Sequence, residues 1–236
     1  MTDVRVGQLW RYPVKSLKGE ALQSAHLTPD GVEGDRVVHV AGQRGLLTGR
    51  TRHQLLRVEA GTGQDGTPLV EGHRWDSAPA AEVVRRWAGP DARLVADSTP
   101  ERFDVLNLLV ATDGAVGRLG VDVRRLRPNL VLTGVPADLE PDLPGQALAI
   151  GDALIGLHSV RQRCIVTTID PDDGEQDLDV LRRIRHSFGG EIALNAWVIR
   201  PGVVRIGDEV RVLPAPKGPD RIGGWVVGAS YPHVVA

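Results

Sequence analysis

Cys164, the only cysteine of the chain, is the residue whose type and neighbours most directly suggest chemistry. Arg161 and Arg163 flank it, and nearby cations favour the thiolate, the form of cysteine that attacks electrophiles and binds soft metals. A lone cysteine forms no disulfide within its own chain. Free cysteine is also among the residue types most often buried in proteins. Cys164 by itself therefore leaves two interpretations open: a reactive or metal-binding thiolate, or a small buried side chain.

Two motifs near the N-terminus carry groups that suit a phosphate. Residues 12–20 read Tyr-Pro-Val-Lys-Ser-Leu-Lys-Gly-Glu, so Lys15, Ser16 and the amides of a turn could together hold an anion. Arg36 ends a Gly-Asp-Arg triplet before an apolar stretch, and its guanidinium could form two parallel hydrogen bonds to a phosphate. Each motif also has a plain structural explanation, a solvated turn for the first and an Asp35–Arg36 turn network for the second.

Further polar positions lie before apolar stretches in the middle of the chain. Residues 127–129 read Arg-Pro-Asn, and the proline disfavours helix at Arg127, so Arg127 and Asn129 are expected at the mouth of a strand. Asn129 could instead cap its own turn. Asp104 precedes a stretch with helical spacing, where it is either a helix N-cap or an acid beside a site.

Several other kinds of site find no support in the sequence. The seven histidines show no metal-binding spacing and there is no second cysteine, so a zinc site is not indicated. Nucleophile-elbow, Walker and glycine-rich dinucleotide motifs are absent. A metal-free hydrolase that pairs Cys164 with His158 or His186 stays open.

The composition is that of a soluble globular protein, with 42% hydrophobic and 25% charged residues and a formal net charge of −2. Neither half of the chain is strongly basic, so a nucleic-acid partner is not expected. No apolar run reaches the roughly 18 residues of a membrane span, and the N-terminus lacks the pattern of a signal peptide. The sequence therefore predicts a cytoplasmic protein without a nucleic-acid or membrane partner.

Short apolar runs separated by Gly, Pro and Asp predict a β-rich barrel or sandwich as the scaffold of these residues. Strands are predicted over Val4–Trp10, Val37–Ala41, Leu130–Thr133, Ala153–His158, Ile165–Ile169, Ala196–Ile199 and Glu209–Leu213. Helices are predicted over Ala80–Trp87 and, with Asp177 as N-cap, over Leu178–Ser187, and a mixed stretch over Val105–Leu119. The polar segment Ala96–Glu101 is the expected boundary between domains. The tail from Pro214 to Gly224 is expected to be a loop that leads to a last strand near Trp225–Val227.

Four motifs in a fixed order are more specific than any one of them. They are Tyr-Pro-Val-Lys-Ser, Gly-Asp-Arg, Arg-Pro-Asn-Leu-Val and Arg-Cys-x-x-Thr-Thr-Ile-Asp-Pro-x-x-Gly, followed by a closing Gly-x-Val-x-x-Gly-Asp-x-Val. This order resembles the MOSC-domain proteins, above all the branch with an N-terminal β-barrel domain that includes the mitochondrial amidoxime-reducing components and their bacterial relatives. The resemblance runs from about Val6 to Leu213. It implies a mostly β fold, with a β-barrel MOSC fold, a few short helices and an α+β N-terminal subdomain, divided into domains at residues 1–98 and 99–236.

The resemblance also implies a molybdenum–molybdopterin cofactor. Cys164 matches the family's metal-ligating cysteine, and Asp104 is similar to an acidic residue near the metal, so both are expected to be catalytic. Lys15, Ser16 and Arg36 match positions that hold the phosphate and pterin of the cofactor. Arg127, Asn129 and Arg163 match further cofactor-binding positions. Gln162 stands where relatives often carry a small hydroxyl residue.

The activity that the resemblance implies is the reduction of small N-hydroxylated compounds, such as amidoximes or hydroxylamines, by a molybdenum oxidoreductase. One cysteine supplies no ligand set for an iron–sulfur cluster, so electrons are expected to come from a separate ferredoxin-, flavin- or cytochrome b5-type protein. The protein itself is expected to be a monomer. The N-terminal membrane anchor of the mitochondrial members is also not expected. The alternative is a cofactor carrier or sulfur-handling protein without turnover. The loops Gly42–Arg52 and His186–Glu191 are expected to set substrate specificity.

Overall fold

The computed structural model describes residues 3–99, 102–219, 221–222 and 225–226. This part of the chain is mostly β, with 39% strand and 21% helix, which confirms the fold class predicted from the sequence. Within these ranges the strands do not close into a barrel. No helix in the same ranges is long and apolar enough to cross a lipid bilayer.

Short strands dominate the described chain, and three α-helices interrupt them. The strands are β1 Arg5–Arg11, β2 Glu20–Leu22, β3 Ser24–Thr28, β4 Gly31–Val32, β5 Val38–Gly42, β6 Gly45–Leu47, β7 Ala60–Thr62, β8 Pro68–Val70, β9 His73–Arg74, β10 Arg93–Ala96, β11 Leu108–Thr112, β12 Leu130–Thr133, β13 Gln146–Ile150, β14 Ala153–Gln162, β15 Glu191–Arg200, β16 Gly202–Arg205, β17 Val210–Pro214, β18 Arg221–Ile222 and β19 Trp225–Val226. The helices are α1 Ala78–Ala88, α2 Asp113–Leu119 and α3 Leu178–Phe188. Short 3₁₀ segments cover His53–Arg57, Val123–Arg125, Glu140–Asp142 and Ile165–Thr168.

One 8-stranded sheet, in the order β17-β13-β14-β15-β11-β12-β1-β2, joins distant parts of the chain. β11 and β12 run parallel, with α2 between them in sequence, whereas β1 is antiparallel to β12 and places Leu9 opposite Leu130. The small sheets are β10-β5-β6, β16-β3-β4, β7-β8-β9 and β18-β19. The N-terminal β1 and β2 therefore belong to the same sheet as strands from beyond residue 100. The division into domains at residues 98 and 99 stays a prediction.

The middle of the large sheet is buried because its strands are apolar on both faces. Leu130, Val131 and Leu132 of β12 are each at most 3% exposed, a continuous apolar run typical of a strand covered on both sides. Ile192 of β15 packs in one cluster with buried residues of α2 and α3, including Leu119 and Ile184. α2 and α3 therefore cover the sheet next to β14 and β15, the strands that precede and follow the Cys164 region.

A second apolar core lies in the N-terminal region and supports the first two motifs. α1 begins after Ser77, whose hydroxyl accepts a hydrogen bond from the amide of Ala80, and its buried face includes Val84. Val84 clusters with Val38 and Val40 of β5. Lys15 is attached to this strand because its amide donates to the carbonyl of Val38 at 2.7 Å. The core of α1 and β5 thus fixes the backbone of residues 12–18.

The predicted strand at Ile165–Ile169 is wrong, because residues 165–168 form a 3₁₀ segment. The Thr167 hydroxyl donates to the carbonyl of Cys164 at 2.9 Å, and the Thr168 hydroxyl donates to that of Ile165 at 2.6 Å. Threonine side chains that bond the backbone three residues back offer an alternative to pairing with a neighbouring strand. The β-branched composition favoured a strand, but these local bonds close the chain into a tight turn directly after Cys164.

The other predicted elements agree more closely with the structure. The mixed stretch Val105–Leu119 divides into β11 and α2, with the Thr112 side chain as N-cap. Asp177 caps α3, as predicted. The tail contains the short strand β18 as well as β19 Trp225–Val226, while Val227 lies outside the described residues.

Candidate cofactor site

All the site residues predicted from the sequence line one cavity of about 620 Å³. A cavity of this size lies in the usual range for cofactors and small molecules. The residues are Lys15, Ser16, Arg36, Asp104, Arg127, Asn129, Arg163 and Cys164. The structure therefore brings together four motifs that are far apart in sequence, while the individual roles of these residues stay predictions.

Two of the cavity arginines stack on the ring of Tyr12. The guanidinium of Arg127 lies 4.3 Å from the centre of the Tyr12 ring, and that of Arg36 lies 4.9 Å from it. The Tyr12 hydroxyl donates to the carbonyl of Pro128 at 3.2 Å. Burial raises the pKa of Tyr12 to about 12 and lowers the pKa of Arg127 to about 10. Tyr12 is therefore a neutral support that holds two cations side by side at neutral pH.

The backbone is left-handed at three positions of the cavity wall. Ser16, Arg36 and Arg127 have φ of 70°, 55° and 58°, a region that non-glycine residues enter at a cost of roughly 1–2 kcal/mol each. Such positions persist only where the surrounding structure holds them, and they concentrate at functional sites. At Arg36 the amide donates to the Tyr12 carbonyl at 2.7 Å, and the guanidinium pairs with buried Asp35. The fold thus maintains local strain in order to present these side chains.

Asp104 sits among three cations on another part of the cavity wall. Its carboxylate lies 2.9 Å from Lys15 Nζ, 3.0 Å from Arg50 Nη2 and 3.5 Å from Arg161 Nη2. Burial alone would raise the pKa of Asp104, but the three cations together hold it well below its usual range. Asp104 caps no helix in the described chain, because the next element is β11. It is an ionised carboxylate that keeps Lys15 and the two guanidinium groups in place.

Cys164 is half-buried on the cavity wall and follows the half-buried Arg163. Arg163 Nη2 donates to the carbonyl of Leu126 at 2.6 Å, and its amide donates to the carbonyl of Gly190 at 3.0 Å. Burial lowers the pKa of Arg163 to about 10, so it remains a cation at neutral pH. The cysteine is thus presented between a fixed arginine and the 3₁₀ segment that starts at Ile165.

Asn129 is 1% exposed and uses its side-chain amide to join strands rather than to cap its own turn. Its Oδ1 accepts a hydrogen bond from the amide of Leu109 in β11, and its Nδ2 donates to the carbonyl of Trp10 in β1. Asn129 therefore fixes the edge of the cavity where β1, β11 and β12 meet.

The donors around the cavity fit an anionic group. Arg127 Nη2 and Arg163 Nε are buried and, within the described chain, have no hydrogen-bond partner. A buried donor without a partner costs about 1–3 kcal/mol, which a bound acceptor would recover. The ionisable residues of the lining are mostly cations, namely Lys15, Arg36, Arg50, Arg102, Arg127, Arg161 and Arg163, against the carboxylates Asp104 and Glu191. A phosphate-bearing cofactor has the charge and the acceptors that this lining requires.

Sequence reasoning missed four residues that shape the site. Tyr12 lay within a recognised motif but was not singled out, and Arg161 was noted only as a neighbour of Cys164. Arg50 belongs to the loop expected to set specificity, and Asn195, whose Oδ1 accepts from Arg161 at 3.1 Å, lies within β15. Only the aromatic position before Pro-Val-Lys-Ser carried a usable signal, since an aromatic ring is the natural support for guanidinium groups.

Two family models match this chain and together span most of it. Residues 99–211 match the model described as the MOSC domain, and residues 3–79 match the MOSC N-terminal beta barrel domain. The fold, the cavity and these matches define the class: the chain belongs to the MOSC-domain proteins that carry the N-terminal MOSC domain.

Individual relatives are more distant. Mitochondrial amidoxime-reducing component 1 is 24% identical in Homo sapiens and 25% in Mus musculus, each over 280 aligned positions that cover 88% of this chain and 82% of the relative. The solved structure of the YUAD protein from Bacillus subtilis superposes with a TM-score of 0.50 at 15% identity, over 90% of this chain and 97% of that one. The latter likeness shows the fold.

Proposed function

We propose that this protein is a molybdenum-cofactor-dependent oxidoreductase that reduces N-hydroxylated compounds such as amidoximes and hydroxylamines. The single observation that carries the proposal is the cavity that brings Cys164 together with the cations of three other motifs. MOSC-family membership supports the cofactor, and the name of the human and mouse relatives supports the substrate class. When bound, the cofactor would supply two-electron oxygen-atom transfer chemistry.

The residues divide into three tasks in this proposal. Lys15, Ser16 and Arg36 hold the phosphate and pterin, because a cation, a hydroxyl and a guanidinium are natural phosphate ligands. Arg127 and Arg163 add buried donors that lack a protein partner in the described chain. Asn129 shapes the cavity wall, and Cys164 ligates the metal.

Asp104 completes the arrangement as a fixed negative charge in the cavity. Because three cations keep its pKa below the usual range, it is an acceptor and not a proton donor at neutral pH. It can accept a hydrogen bond from the N–H or O–H of an N-hydroxylated substrate. Electrons would come from a separate ferredoxin-, flavin- or cytochrome b5-type protein.

The test is metal analysis and turnover of protein purified from a host with an intact cofactor pathway. We expect near-stoichiometric molybdenum in the wild type, and reduction of benzamidoxime by a reduced viologen dye. Cys164→Ser should lose both, and Arg85→Ala, an exposed change on α1, should lose neither.

Three results would contradict the proposal or redirect it. Molybdenum far below stoichiometric in the wild type, with Cys164→Ser indistinguishable from it, would refute the cofactor. Stoichiometric molybdenum without turnover of N-hydroxylated compounds would indicate a carrier. Rapid ester or amide hydrolysis that depends on Cys164 in metal-free protein would indicate a hydrolase instead.

A further inference from the structure

The segments before and after Cys164 are both joined by hydrogen bonds to one turn of the chain, and each such connection is called a tie below. The turn comprises residues 123–129, here called the 123–129 turn, and it supplies Arg127 and Asn129 to the cavity. Before the cysteine, Arg163 Nη2 donates to the carbonyl of Leu126 at 2.6 Å. After it, Arg125 reaches from the turn to the segment that follows Cys164. The two ties therefore enclose the cysteine between them.

The tie made by Arg125 has two arms. Nη1 donates to the carbonyl of Thr168 at 2.9 Å, and Nη2 donates to Oδ2 of Asp170 at 2.8 Å. The Arg125 side chain is only 11% exposed, so water screens this pair less than an ordinary surface ion pair. A planar guanidinium holds two acceptors in a fixed relation, which a lysine cannot do.

Asp170 connects the Arg125 contact to the rest of the loop after Cys164. Its Oδ1 accepts hydrogen bonds from the amides of Asp172 and Asp173, and its own amide donates to the carbonyl of Glu175. Thr168 is bonded in turn by the side chain of Gln176. Neutralising or moving Asp170 would therefore loosen the loop that begins at the cysteine.

Arg124 makes a superficially similar contact from the same turn. Its guanidinium binds Asp122 and Asp172, but Arg124 is 31% exposed and Asp172 is 61% exposed. Asp172 also lies farther along the loop from Cys164. The neighbouring arginine is therefore a matched comparison for Arg125, because it joins the same turn to the same loop through a more exposed contact farther from Cys164.

We propose that Arg125 is a positioning residue that holds Cys164 in register with Arg127. Arg125 is not itself one of the residues that line the cavity, and it acts by fastening the segment after the cysteine to the turn that presents Arg127. The groups that bind a ligand must be held to within about 0.5 Å of the productive geometry. In this proposal the Arg125 contacts fix the distance between the segment after Cys164 and the 123–129 turn, which the Arg163 hydrogen bond alone would leave free to vary. The link to a cofactor rests on the proposed function; the tie itself does not.

The first test uses the reactivity of Cys164 in full-length protein from a host that lacks the cofactor pathway. Because the chain has one cysteine, maleimide labelling reports on this position alone. We expect Arg125→Ala to react at least about threefold faster than the wild type, because local opening of a loop exposes its groups. Asp170→Asn, which weakens only the Nη2 contact, should also react faster than the wild type, and the double variant should react no faster than Arg125→Ala, since Arg125→Ala already removes both contacts. Arg125→Lys should be intermediate, and Arg124→Ala should stay within about twofold of the wild type.

Hydrogen exchange distinguishes a local effect from loss of the fold. The amides of Thr167 and Ile169, which donate to the carbonyls of Cys164 and Val166, should exchange faster in Arg125→Ala, while amides of β11 and β12 keep their wild-type rates. If Arg125→Ala fails to fold, Asp170→Asn provides the same comparison with a nearly isosteric change. Unchanged labelling in both variants, or an equal increase in Arg124→Ala, would overturn the proposal.

A second test uses protein from a host with an intact cofactor pathway. We expect Arg125→Ala to lose molybdenum severalfold faster than Arg124→Ala during gel filtration, and the molybdenum electron paramagnetic resonance spectrum of the retained fraction to shift. Faster labelling with unchanged metal retention and an unchanged spectrum would overturn the role toward the cofactor. If the wild type binds no molybdenum, the proposed function fails, whereas the labelling experiment still decides whether Arg125 positions Cys164.

Discussion

At the scale of single residues, the site is organised by two groups that carry no positive charge. Asp104 gathers Lys15, Arg50 and Arg161, and Tyr12 supports Arg36 and Arg127. Like charges packed in one cavity repel one another, so each cluster needs a group that compensates or supports it. The carboxylate does this by charge, and the aromatic ring does it by its electron-rich face.

Removal of the Asp104 charge should change how stability depends on pH. A carboxyl with a depressed folded-state pKa stabilises the fold above its unfolded pKa of about 3.9, and this contribution is lost as the pH falls through the folded pKa. We expect Asp104→Asn to be less stable than the wild type at pH 6, with the difference shrinking below pH about 4. Urea unfolding at a series of pH values measures it. A difference that is independent of pH would mean that the charge of Asp104 contributes no stability.

The ionisation of Tyr12 gives an independent readout of its burial. The chain has two tyrosines, and burial raises the pKa of Tyr12 to about 12. Absorbance at 295 nm should therefore rise with a late step near pH 12 that is missing in Tyr12→Phe. The raised pKa stabilises the fold below the ordinary tyrosine value, and this contribution is lost between pH about 10 and 12. A wild-type titration complete by about pH 10.5 would contradict the buried position.

At the scale of elements, the segment after Cys164 is set by bonds that local composition does not reveal. The 3₁₀ segment Ile165–Thr168 is closed by threonine hydroxyls, and the Thr168 carbonyl accepts hydrogen bonds from the amide of Asp177 and from Arg125. α3 then starts at Leu178 with Asp177 as its N-cap. The beginning of α3 is therefore coupled to the loop that presents the cysteine.

Loss of the α3 cap should cost more than loss of an exposed ion pair on the same helix. The Asp177 side chain accepts a hydrogen bond from the amide of Asp179 at 2.9 Å. We expect Asp177→Ala to lower the free energy of unfolding by about 1 kcal/mol, as is typical for N-caps. Arg182→Ala, which removes an exposed pair with Asp179, should cost less than about 0.5 kcal/mol. Denaturant unfolding of both variants measures this difference, and equal values would contradict the cap.

At the scale of the whole molecule, the two family regions are joined by one sheet. β1 lies between β2 and β12, and buried residues of β1, β12 and β15 belong to the same apolar cluster. The cavity likewise takes residues from both regions. A shared sheet and a shared cavity mean that neither region completes the site without the other.

Because Leu9 lies in the shared sheet, its truncation should affect the entire molecule. Leu9 is 1% exposed and faces Leu130 across the β1–β12 pair. We expect Leu9→Ala to cost about 2–5 kcal/mol through lost burial and a residual cavity, and calorimetry to show one transition displaced as a unit. Leu46→Ala, at a position 39% exposed, should cost far less. Two separate transitions, of which only one moves, would contradict cooperative unfolding through the sheet.

The sequence alone determined the element types where a local pattern is strong. The apolar run Leu130–Thr133, the spacing of α1 and the spacing and N-cap of α3 agree with the structure, because burial and capping act over a few residues. The same reasoning failed at Ile165–Ile169, where β-branched residues favoured a strand but hydroxyl-to-backbone bonds made a 3₁₀ turn. The ordered motifs also indicated the family and which residues would line a common site.

Only the tertiary structure decided which of these residues meet. The partners of Asp104 come from residues 15, 50 and 161, and Tyr12 supports an arginine more than a hundred positions away. Asn129 was expected at a strand mouth, but its bonds to β1 and β11 depend on how three strands assemble. Contacts between distant parts of the chain depend on the packing of the whole fold, whereas a motif specifies only the chemistry of its own side chains.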